Sequence, residues 1–150
     1  FSKLWEKVWN PSGPVKFGLG LIFLAVGFFA LSYGSLSIPQ GAKTATVSMI
    51  WLILAYFFHT LGELCLSPVG LSYVSKLSPK KFVGLLFGFW FTASAIANFI
   101  AGYTGAYIDK ISAMYSLSTF FIIIAALPLS AALMLLLFNK KLVKMMHGIK

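Results

Sequence analysis

Four apolar runs leave this chain few ways to fold. They cover about residues 17–33, 47–74, 82–108 and 117–138. Each is near the ~20 residues that a helix needs to cross ~30 Å of hydrocarbon. Backbone polar groups in lipid must be satisfied within the chain, so helices are the expected form. The runs are too long, and alternate too weakly, for barrel strands. The reading is an all-α membrane protein with four transmembrane helices, the second long enough to tilt or bend. The connections are short and carry turn chemistry: Asn10-Pro11-Ser12-Gly13-Pro14, Ser37-Ile38-Pro39-Gln40-Gly41, Ser78-Pro79-Lys80-Lys81, and residues 109–116. Short loops make sequential helices antiparallel neighbours.

Composition agrees. The chain is 59% hydrophobic and only 10% charged, against about 25% charged residues in soluble domains. The net charge of +9 does not point to nucleic acid, because all twelve basic residues are lysine and arginine supplies most bidentate phosphate and base recognition. The lysines mark topology instead. Lys3, Lys7, Lys16, Lys76, Lys80, Lys81, Lys140, Lys141, Lys144 and Lys150 fall on one side of a four-span arrangement; only Lys43 and Lys110 fall on the other. Under the positive-inside rule both ends of the chain and the Lys76–Lys81 connection are cytoplasmic. The basic tail 139–150 either lies along the inner membrane surface or is a solvated end.

Cys65 is a lone cysteine inside an apolar run, a small packing residue that forms no intrachain disulfide. No metal cluster, nucleophile triad, phosphate loop or dinucleotide fingerprint is present, so neither an enzyme nor a metal or organic cofactor is expected. The first residue is Phe1 and no signal peptide follows, which reads as a segment of a longer polypeptide.

Glu63 is the only carboxylate between Glu6 and Asp109, and it lies within the second run. An acid at bilayer depth costs roughly 2.5 kcal/mol or more, and in membranes such residues usually meet a partner or a water-filled cavity. It reads as a substrate, ion or proton site; the alternative is a protonated carboxyl hydrogen-bonded between helices. Tyr56, His59, Thr60, Ser67 and Gly70 fall at helical spacing around it, among mainly apolar neighbours. Such a stripe should face protein or water. His59 sits one turn from Glu63, either titrating with it or as a satisfied polar residue of the bundle. Pro68 removes a backbone donor to the Leu64 carbonyl, so a helix bend is expected there, as a packing kink or as irregular helix beside a binding site.

On the third run, Gly84 and Gly88 form a G-x-x-x-G pattern that permits close helix approach. Trp90 lies about nine residues beyond Lys81, or ~14 Å inside the membrane, while Glu63 lies ~20 Å from the same surface. Tryptophan ordinarily favours the interface. Trp90 and Glu63 could therefore reach one central cavity from adjacent helices. The alternative for Trp90 is a core residue bonded to a carbonyl. Ser94 and Asn98 extend the Trp90 face, lining a cavity or gluing helices together.

The stretch from Gly62 to Ser72 (GELCLSPVGLS) resembles the tenth-helix signature of the proton-dependent oligopeptide transporters of the major facilitator superfamily. Pro11 to Gly20 (PSGPVKFGLG) is similar to the start of their ninth helix. Gly84 to Trp90, with Ser94 to Asn98 and Gly102, is similar to their eleventh. The resemblance implies helices nine to twelve of a twelve-helix fold, part of a C-terminal six-helix bundle in the cell (inner) membrane. It implies proton-coupled symport of di- and tripeptides by alternating access, the proton being the coupling ion. Glu63 would receive the peptide amino terminus, Ser67 would touch the same end, and Trp90, with Phe91, would line a side-chain pocket. The family's first-helix E-x-x-E-R motif is absent from this chain, so the remaining helices of the same transporter are implied partners. Two rivals keep part of this picture: a transporter of another small solute on the same fold, and a non-transporting four-helix membrane subunit with Glu63 as interhelical glue.

Overall fold

The computed structural model describes residues 11–39 and 46–146; Lys3, Lys7, Lys43, Lys150 and the Gln40-Gly41 turn lie outside the described residues. Helix α1 is Gly13–Gly34, followed by a 3-10 turn at Ser35–Ser37, and α2 is Ile50–Leu77. A second 3-10 turn, Lys80–Phe82, leads into α3, Val83–Ala106. The short α4, Ile108–Met114, precedes α5, Leu117–Leu137, and α6, Asn139–Met145. Among the described residues there is no strand, and four helical spans are long and apolar enough to cross a membrane.

Local chemistry sets the helix ends. Pro14 stands in the first turn of α1, where a missing N–H costs nothing. The helix thus starts before the apolar run and takes in Lys16. Ser78 ends α2 with extended backbone (φ −83°, ψ 136°), the conformation imposed on a residue that precedes proline. Ser116 caps α5: its Oγ accepts from the Thr119 N–H at 3.2 Å. The connection 109–116, read from sequence as a loop, carries α4. It holds no glycine or proline, and Asp109 sits in the first turn, where the helix dipole favours a negative charge. The basic tail likewise begins with a helix, α6.

Helix α1 is the centre of the bundle, with α2 along one side and α5 along another. Two seven-residue series of small side chains make this possible. Gly13, Gly20, Gly27 and Gly34 face α2, where Tyr73, Leu66, His59 and Trp51 occupy the space that a Cβ would need. Gly18, Ala25 and Ser32 face α5, whose own buried series is Ser118, Ala125 and Ala132. Helix α2 answers with Ala55, Gly62 and Val69, all buried and again seven apart. A seven-residue repeat keeps one seam between two helices that wrap gently around each other.

The core that results is made of small residues. Among the described residues the largest fully buried side chain is Cys65, and apart from Phe120 most large apolar side chains are exposed or half-buried, as suits helices whose surroundings are as apolar as their own side chains. Hydrogen bonds fix the α1–α5 register at both ends. Ser32 Oγ lies 2.8 Å from Ser118 Oγ and donates to the Ser118 carbonyl at 3.2 Å. Ser12 Oγ donates to Asn139 Oδ1 at 2.7 Å. These contacts place Lys16, Lys76, Lys80, Lys81, Lys140, Lys141 and Lys144 at one end of the molecule, with Lys110 at the other.

Among the described glycines, backbone comes nearest to backbone at the crossing of Gly20 and Gly62. A Cβ on Gly62 would stand 2.8 Å from the Gly20 carbonyl oxygen, and one on Gly20 would stand 3.0 Å from that of Gly62. The obstacle is backbone, so no rotamer change relieves it. Gly62→Ala should force α1 and α2 apart and cost about 1–3 kcal/mol. Thermal unfolding of the detergent-purified transporter polypeptide carrying this chain should show a lower Tm; an unchanged midpoint would contradict the close approach.

Candidate substrate site on α2

Helix α2 presents two faces of different chemistry. Ala55, Gly62, Cys65 and Val69 are buried towards α1. Tyr56, Thr60 and Glu63 are exposed on a separate face, with Ser67 half-buried one turn on. These four residues step by four, three and four, so they line one stripe of the helix. Thr60 Oγ1 bonds back to the Tyr56 carbonyl at 2.8 Å, which leaves its outward side polar. Among the described residues the structure records no hydrogen bond or ion pair to Glu63.

The sequence stripe therefore divides. His59 turns towards α1: its ring lies over Gly27 and 4.6 Å, centroid to centroid, from Phe28. Its Nε2 is buried without a hydrogen-bond partner among the described residues. These contacts make it an α1–α2 interface residue. Gly70 also departs from the stripe, being buried beneath the Trp90 ring.

Pro68 lies inside α2, which continues as one helix to Leu77. Trp90 is half-buried and seated on Gly70, where α3 meets α2. Gly70 is seven residues from Glu63, or about 10 Å along the helix towards the lysine-rich end. A cavity of about 470 Å³ lies here, lined among others by Phe17, Gly70, Tyr73, Leu86 and Trp90; Glu63 is not part of its wall. The structure thus brings Ser67 and Glu63 together on one face, and sets Trp90 two turns away.

The remainder of α3 stands clear of the other spans. Phe91, Ser94 and Asn98 are all exposed, and Ser94 Oγ donates to the Trp90 carbonyl at 3.0 Å. A methyl group on Gly84 or Gly88 would meet nothing within 4 Å. The G-x-x-x-G pattern is therefore not used for packing among the described residues. Sequence reasoning had no role for Gly62 and did not identify Gly70 as the seat of Trp90. The signal for Gly62 was available in the seven-residue spacing of Ala55, Gly62 and Val69.

The geometry joins a lone mid-membrane carboxylate to a hydroxyl one turn away on an uncovered helix face, within a signature stretch whose glycines have packing roles. The POT family model matches residues 1–123. This chain belongs to the POT family. Among its relatives, the uncharacterized transporter YclF of Bacillus subtilis is 41% identical over 113 residues, covering 74% of this chain and 22% of that protein. The peptide transporter YePEPT of Yersinia enterocolitica is 36% identical over 142 residues, covering 91% of this chain and 27% of that protein. Dipeptide and tripeptide permease A of Escherichia coli is 34% identical over 111 residues, covering 68% and 21%. The chain thus spans about a quarter of the length of these POT relatives, and it is a multi-pass membrane chain.

Gly70 is the residue whose change should report on the Trp90 seat. Any side chain there would overlap the indole. In the transporter polypeptide carrying this chain, with every tryptophan other than Trp90 replaced by Phe, Gly70→Ala should shift the Trp90 emission maximum and its accessibility to a quencher. An unaltered spectrum would show that the ring does not rest on Gly70.

Proposed function

We propose that this chain supplies helices nine to twelve of a twelve-helix, proton-coupled symporter that imports di- and tripeptides by alternating access. The observation that carries this reading is the exposed Glu63 at mid-depth of α2, on a face that α1 does not cover. A carboxylate there must meet water or protein and not lipid, so the Tyr56–Ser67 stripe fronts a cavity completed by the remaining helices of the same transporter. The names of the curated relatives as peptide transporters and permeases support the substrate class.

In this mechanism the Glu63 carboxylate accepts hydrogen bonds from the peptide's ammonium group, and the Ser67 hydroxyl contacts the same end of the ligand. Protonation of Glu63 removes the charge that holds the ammonium. Glu63 must therefore be ionised to hold the peptide, and the co-transported proton is carried by another group of the transporter, with the two binding events linked reciprocally. Trp90 and Phe91 contribute the wall of a side-chain pocket closer to the lysine-rich end, which the positive-inside bias places in the cytoplasm of a cell (inner) membrane protein.

The test is uptake of alanyl dipeptide into proteoliposomes under an inward proton gradient, using the transporter polypeptide that carries this chain. A charge-assisted hydrogen bond contributes about 1.5–3 kcal/mol, so Glu63→Gln should lower proton-driven uptake by roughly ten- to a hundredfold. Equal uptake by both forms would remove Glu63 from the substrate site. No uptake by the unaltered protein in intact vesicles would remove the peptide.

A further inference from the structure

Pro68 interrupts the backbone chemistry of α2 without ending the helix, which runs on to Leu77. A proline has no N–H, so the carbonyl of Leu64, four residues back, loses its helical donor. Leu64 is 48% exposed, and Pro68 is exposed as well. The buried residues around them, Gly62, Cys65, Val69 and Gly70, belong to the contacts with α1 and Trp90. The freed carbonyl therefore lies on the side of α2 that its neighbours leave uncovered. A backbone acceptor at this depth needs a donor from protein, water or ligand, because lipid supplies none.

Ser67 is placed to be that donor and does not act as one. Ser75 and Ser130 show the reach of a helical serine: each hydroxyl bonds the carbonyl three residues back, that of Ser72 at 2.9 Å and that of Leu127 at 2.8 Å. Leu64 is three residues before Ser67, yet among the described residues no hydrogen bond is recorded for the Ser67 hydroxyl. Nor is that hydroxyl buried: the buried side-chain polar atom without a partner among the described residues is His59 Nε2. Three oxygen-bearing groups thus stand within about one turn of α2: the Glu63 carboxylate, the Leu64 carbonyl and the Ser67 hydroxyl. A carboxylate alone suits any cation. A carboxylate beside a carbonyl and a hydroxyl suits a cation with several N–H donors.

Resting on the peptide reading of the Glu63 face, we propose that the Leu64 backbone carbonyl is a third acceptor for the peptide's ammonium group and that Pro68 keeps it open. The three N–H donors of the ammonium are divided among Glu63, Leu64 and Ser67. Pro68 is a positioning residue: it acts by withholding the N–H that would otherwise occupy the carbonyl. The arrangement also sets specificity. It selects a primary ammonium over a methylated terminal nitrogen of the same charge, because each lost donor leaves an acceptor of the site unpaired.

The experiment is dialanine uptake into proteoliposomes under an inward proton gradient, by the complete transporter polypeptide carrying this chain, with KM and maximal rate measured separately. Pro68→Ala returns an N–H to the Leu64 carbonyl and removes a ring that disfavours the helix, so the variant should fold. It should raise KM for dialanine about tenfold, as expected for loss of one hydrogen bond from a charged donor. The maximal rate should stay within about twofold, the pattern of lost binding and not of lost turnover. The α-hydroxy analogue of alanine at position 68 lacks both the ring and the N–H, and should keep the KM of the unaltered protein. N,N-dimethylalanyl-alanine has one donor left, for Glu63, so its inhibition constant against dialanine should be the same with and without Pro68→Ala. A KM unmoved by Pro68→Ala would overturn the proposal. So would an α-hydroxy analogue that behaves like Pro68→Ala, because the ring and the helix shape would then be responsible, and so would an equal loss for dialanine and its dimethyl form. Failure of the peptide reading looks different: no dialanine uptake by the unaltered protein, or uptake indifferent to Glu63→Gln, removes the substrate or the acid and overturns this proposal with it.

Discussion

The close approach of α1 to its neighbours is the constraint on which the remaining arrangement depends. In lipid there is little hydrophobic gain from bringing two helices together, so association rests on packing and on hydrogen bonds between helices. Packing is strongest where backbones can touch. Glycine at positions 13, 20, 27 and 34 gives α2 a continuous groove, and Gly18, Ala25 and Ser32 give α5 another. One helix with two small-residue seams can hold two partners at once. Its bulky residues then remain on the outside, where a soluble protein would have placed polar ones.

That choice of interface decides what α2 can present elsewhere. With Ala55, Gly62 and Val69 committed to α1, the residues roughly a third of a turn away are left without cover. Glu63 neighbours Gly62 in sequence, yet the two point to different surroundings: one into a backbone contact and the other away from it. The signature from Gly62 to Ser72 is in this sense two interleaved requirements. Its glycines set helix spacing at Gly20 and at Trp90, and Glu63 and Ser67 are the residues proposed to carry the chemistry. A loss of transport in a glycine variant would thus speak to spacing, and a loss in a Glu63 variant to charge.

Much of this was legible along the chain. The four spans could be read from length and hydropathy alone, with ends displaced by a few residues where Pro14 and Ser78-Pro79 set the helix limits. The isolated position of Glu63 among apolar residues was likewise plain. His59 was less so. At four residues from Glu63 it shares a helix side in projection, and only its packing against Gly27 and Phe28 assigns it to the α1 interface. The expectation that Trp90 and Glu63 reach one central cavity rested on counting residues from the lysines. Counting ignores where α3 meets α2, and the Gly70 seat moves Trp90 about two turns from the acid.

The sequence by itself determined that this chain crosses a membrane as helices, because lipid leaves the backbone no other way to satisfy its polar groups over runs of this length. It also determined that an acid lies at depth and that lysines gather at one end. Only the tertiary structure decided which side of each helix faces a neighbour. Several faces of α1 and α2 carry small residues at compatible spacing, and periodicity cannot choose among them. The choice is made by contacts between residues far apart in the chain: Gly20 against Gly62, Ser32 against Ser118, Gly70 under Trp90.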